Sequence, residues 1–126
     1  MFTEIPNKQY LNKSADKDDL WPDIGERCEV NLFFRKFSSA EGWLQKSYFM
    51  IWSKQEIRDL EPVIQETYSD KYHFFGSDGG GTQFAFFDDG GDIVYVSAPD
   101  IGSETDVRVL GTWQEFIKCI QNGDYI

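Results

Sequence analysis

The sequence predicts an α+β fold in a single domain. Short aromatic and β-branched runs are separated by glycine- and aspartate-rich turns, and two helical stretches each open on a capping box. A length of 126 residues is enough for one core without metal or disulfide support. The 11 Phe, 6 Tyr and 4 Trp supply large areas to bury in that core.

Residues 1–23 are polar and charged, with the run Lys13-Ser14-Ala15-Asp16-Lys17-Asp18-Asp19, and read as an irregular or partly helical lead-in to a domain over 24–126. Asp23 is the expected N-cap of a first helix. In it Val30, Phe33, Phe34 and Phe37 share one face and Cys28 packs as a small apolar residue. Residues 38–42 end this helix, leaving Trp43 in a polar loop. Ser47 to Trp52 reads as a strand. Ser53 followed by Glu56 is a capping box for a helix carrying Ile57, Leu60 and Ile64, which Pro62 should kink or restart because it lacks an N–H.

Tyr72 to Phe75 and Thr82 to Phe87 read as strands flanking the turn Gly76-Ser77-Asp78-Gly79-Gly80-Gly81. Asp88-Asp89-Gly90-Gly91 then reverses the chain into a strand over Asp92 to Ser97, most simply an antiparallel hairpin. After a loop from Pro99 to Thr105, Val107 to Leu110 reads as a further strand. Thr112 with Glu115 caps a last helix, whose Trp113, Phe116, Ile117 and Ile120 face the core and whose end is Gly123.

The charge balance is −10. That opposes a nucleic-acid surface, which needs clustered Lys and Arg, and fits a basic partner or simple solubility. No apolar run is long enough to cross a bilayer and no signal peptide is recognisable. Two widely spaced cysteines outside any C-x-x-C pair fit a reducing cytoplasm.

Catalytic and cofactor motifs are missing. Gly76 and Gly81 have phosphate-loop spacing, but Thr82 stands where the lysine belongs, and a strand follows where a helix is needed. Asp16 and Asp18 begin a Ca²⁺-loop pattern that fails at Trp21, where glycine is required. His73, the only histidine, sits in a strand with no nucleophile motif near it. The expectation is therefore no enzyme, no cofactor and no metal. Trp21, Trp43 and Trp52 are candidate interface anchors, Trp52 equally a core residue. The candidate protein-binding set is Glu41, Trp43, Asp88, Asp89 and Asp92.

Phe33-Phe34-Arg35-Lys36-Phe37, Glu41-Gly42, Ile51-Trp52-Ser53-Lys54-Gln55-Glu56-Ile57, Phe75 to Gly81 and Thr112 to Ile117 come in an order that resembles the SMI1/KNR4, or SUKH, superfamily. The resemblance spans Gly25 to Gly123 and rests on Trp52, Glu56, Gly76, Asp78, Gly79, Gly80 and Gly81 as motif residues. Leu20-Trp21-Pro22 stands where the family has Leu-Pro, and residues 38–42 where it has Asn-Gly. The resemblance implies an α+β domain with a mixed or mostly antiparallel sheet and no enzymatic role. It further implies an immunity protein that neutralises a cognate toxin, often a nuclease. The expected partner is a basic toxin domain, and the chain itself is expected as a monomer or weak homodimer. A scaffold or regulatory module without a toxin partner is the alternative.

Overall fold

The computed structural model describes residues 18–126. The lead-in over 1–17, with Asp16 of the Ca²⁺-loop pattern, lies outside the described residues. Six strands form one antiparallel meander in chain order: β1 (Ala40–Leu44), β2 (Ser47–Ile51), β3 (His73–Ser77), β4 (Thr82–Asp89), β5 (Asp92–Pro99) and β6 (Arg108–Gly111). Three α-helices among the described residues accompany it: α1 (Glu29–Phe34), α2 (Lys54–Ile64) and α3 (Trp113–Asn122). The domain is α+β, and every strand pairing in it is antiparallel.

Both capping boxes form as the sequence predicts. The Ser53 hydroxyl accepts from the Glu56 amide while the Glu56 carboxylate accepts from the Ser53 amide, and Thr112 and Glu115 repeat the exchange. Each box satisfies amides that the first helical turn leaves without partners. Gly123 closes α3 in the left-handed region, φ 71°.

The core is aromatic and centres on α3. The fully buried Phe116 ring packs within 6 Å of Phe49 on β2, Phe75 on β3, Phe84 on β4 and Tyr95 on β5. One helical side chain thus bridges four strands. On β3 the side chains alternate: Phe74 packs on Tyr68 and Tyr72 instead, in the segment that follows α2.

Five local expectations change. The first helix begins at Glu29, not after Asp23, because positive-φ Gly25 opens a 3-10 turn over Gly25–Arg27. Cys28 is therefore the buried N-cap of α1, and burial pushes its thiol up to about 11. Residues 40–44 form an edge strand, not a polar loop. Helix α2 runs through Pro62 without a break and ends two residues later, so the missing N–H falls in its last turn. Gly76 lies inside β3, and the turn is confined to 78–81. A Cβ on Gly76 would sit 2.0 Å from the Met50 carbonyl oxygen, so this glycine is required for space.

Candidate functional site

The predicted site residues fall in two places. Glu41 pairs with Met50, Met50 with Ser77 and Ser77 with Gln83, which defines one row across the sheet. Asp88 and Asp89 stand at the far end of β4, at the hairpin tip. Three strand spacings and five residues along a strand separate Glu41 from Asp88, about 14 Å by about 17 Å. The five residues are not one patch, because sequence proximity to turns says nothing about which end of the sheet a turn occupies.

The hairpin tip is largely self-satisfied. Arg27 grips Asp88 with two nitrogens, at 3.2 and 2.9 Å, and also donates to the Gly91 carbonyl at 2.8 Å. The Gly91 amide donates to the same carboxylate. The Arg27 bond holds Asp88 below its ordinary value. Asp89 and Asp92 are exposed and face each other across the pair, where like charges repel. Asp88 therefore fastens the β4–β5 turn to the residues before α1.

This makes a pH prediction. A carboxylate depressed in the folded state contributes stability that is present above its ordinary value of 3.8 and is lost as pH falls through the lower folded value. The stability difference between the parent and Asp88→Asn should shrink on acidification below about pH 4 and in high salt. Urea melts at pH 7 and pH 3 check it; a constant difference refutes it.

The glycine turn closes on itself as well. The Asp78 carboxylate accepts from the Gly80 amide at 2.8 Å and the Thr82 amide at 3.2 Å, and its other oxygen accepts from the Tyr125 hydroxyl at 2.9 Å. The Ser77 hydroxyl accepts from the Gly79 amide, and Asp100 donates its amide to Gly81. Amides that could have cradled a phosphate already hold an internal carboxylate, which would repel one. Gly79 carries the positive φ, 77°, and packs against the Tyr48 ring. Tyr125 lies beyond the last helix and carries no local signal for this role.

The remaining motif residues are structural. Trp52 is buried and donates its amide to the Phe75 carbonyl at 2.9 Å; Glu56 serves the α2 cap. Trp21 is half-buried and packs its ring on His73 and Phe86, so it is not a free anchor. His73 packs against both of those rings, and burial lowers its pKa. Among the described residues no group of three or more His, Cys, Asp or Glu is placed to hold a metal, and no helix is long and apolar enough to cross a membrane.

That leaves the first place, the outward row at β1. Trp43 is 66% exposed, against 7% for Trp52 and 4% for Trp113. Its ring meets Tyr48 edge-on at 5.7 Å. The Tyr48 hydroxyl donates to Glu41 at 2.6 Å, and Met50 follows two residues on, its sulfur 3.6 Å from the Ser77 hydroxyl. Glu41 and Trp43 are two residues apart on one strand and so point to the same side. Tyr48 and Met50, opposite Trp43 and Glu41, complete the patch; sequence alone does not single them out because only the register brings them there.

No family model and no curated protein matches the chain.

Proposed function

We propose that this chain is a non-enzymatic protein-binding domain of the SMI1/KNR4 (SUKH) type, acting in the cytoplasm as an immunity protein that binds and neutralises a basic toxin domain. The observation that carries the binding role is Trp43, a large aromatic left in solvent beside Glu41 by a fold that buries Trp52 and Trp113. Interfaces concentrate their binding energy in such aromatics, ringed by polar groups. The charge of −10 complements a basic partner and would speed encounter with it. The family resemblance over Gly25 to Gly123 supports the toxin-neutralising part of the reading.

Co-expression with the product of the neighbouring gene tests it: a stable complex and protection from that product's toxicity are expected. Absence of both removes the immunity reading, and a housekeeping partner in its place points to a scaffold. Within such a complex, Trp43→Ala should weaken binding by about 2 kcal/mol or more, as anchors at interface centres do. Its stability cost should stay near the edge-on contact with Tyr48, about 1 kcal/mol. Titration calorimetry and urea melts separate the two; equal affinity for both proteins would exclude Trp43 as the anchor.

A further inference from the structure

The edge of β1 has open backbone groups. Leu44 and Ser47 close a two-residue loop, Gln45-Lys46, with Gln45 at φ 55°. The closing pair of so short a loop is hydrogen-bonded, and pairs alternate from there. Gly42↔Phe49 and Ala40↔Ile51 are then hydrogen-bonded, while Trp43↔Tyr48 and Glu41↔Met50 are not. The N–H and C=O groups of Glu41 and Trp43 therefore point away from β2, off the sheet. Outside the strand ladders, no backbone bond among the described residues involves either. The same two residues carry the exposed ring and the carboxylate.

We propose that β1 takes an extended basic segment of a protein partner as a seventh, antiparallel strand, with one cationic side chain opposite Glu41 and the next but one over the Trp43 ring. This rests on the reading of the patch as the protein-binding surface and names what it binds. Strand addition supplies main-chain bonds, and side chains at alternate positions supply selectivity. Glu41 would pair with one cation, and the face of Trp43 attracts a second. The antiparallel sense follows the rest of the sheet and is the commoner pairing. In that sense the residue opposite Glu41 turns its own N–H and C=O toward β1. The chain's acidity favours such a segment over a second copy of itself.

The probe is a short peptide of alternating threonine and arginine, read by hydrogen exchange and calorimetry. The Glu41 and Trp43 amides should exchange fast in the free protein and slow when the peptide binds. Glu41→Lys should weaken binding at least tenfold, with folding verified by circular dichroism. N-methylation of the arginine amides should abolish binding, and N-methylation of the threonine amides should spare it, because only the former face β1. Equal sensitivity to the two, the reverse pattern, failure of the peptide to bind, or amides already protected in the free protein would each overturn strand addition. Self-association that buries the Trp43 edge would overturn it in favour of a second copy. None of these outcomes touches the co-expression result, so the wider reading stands or falls separately.

Discussion

Phe116→Ala should lower stability by about 3–5 kcal/mol, the range for removing a buried aromatic ring and leaving a cavity. Domains of this size are stable by about 5–15 kcal/mol, so the variant would sit at the margin of folding. The position of the ring sets the size of this loss. The ring touches Phe49, Phe75, Phe84 and Tyr95 on four neighbouring strands, and also Trp113 on its own helix. Each aromatic pair adds about 0.5–1.5 kcal/mol beyond its buried area, and a sheet cannot collapse inward to fill the void as a loop could. Phe37, half-buried beyond the end of α1, should cost clearly less when truncated. Urea melts of both variants check the ordering. A Phe116→Ala loss below about 1 kcal/mol would mean that α3 is not the keystone of this core.

What the sequence made legible was local. Ser53 with Glu56 and Thr112 with Glu115 could be read directly, because a capping box is complete within four residues. The β4–β5 hairpin followed from its Asp/Gly turn for the same reason. Strand β1 was hidden because Ala40-Glu41-Gly42 has little strand propensity; it is a strand through its pairing with β2. The site divided along the same line. Trp43 could be singled out as exposed, but its seat on a free edge and its neighbours Tyr48 and Met50 depend on register. Asp88 looked available because Arg27, the residue that occupies it, is 61 positions away.

Gly76→Ala should be more damaging than any change to the glycines of the turns. A turn glycine such as Gly90, at φ 68° with open space around it, needs only a left-handed backbone, and alanine there costs about 1–2 kcal/mol. At Gly76 the obstacle is different in kind. The added Cβ would lie 2.0 Å from the Met50 carbonyl oxygen and 3.1 Å from its carbon, both backbone atoms that no rotamer change can move. Relief requires β2 to leave β3. The two strands are joined only at Met50↔Ser77 and Ile51↔Gly76, with the Trp52–Phe75 bond beyond. Overpacking alone costs about 1–3 kcal/mol, and each main-chain bond lost adds about 1 kcal/mol. Gly76→Ala should therefore exceed Gly90→Ala by about 2 kcal/mol in urea melts. Because β1 hangs on β2, the displacement would carry Glu41, Trp43 and Tyr48 with it. A residue three strands into the sheet would then abolish partner binding without touching the partner. If Gly76→Ala binds and melts like the parent, the close approach of β2 to β3 is wrong, and with it the placement of the β1 edge.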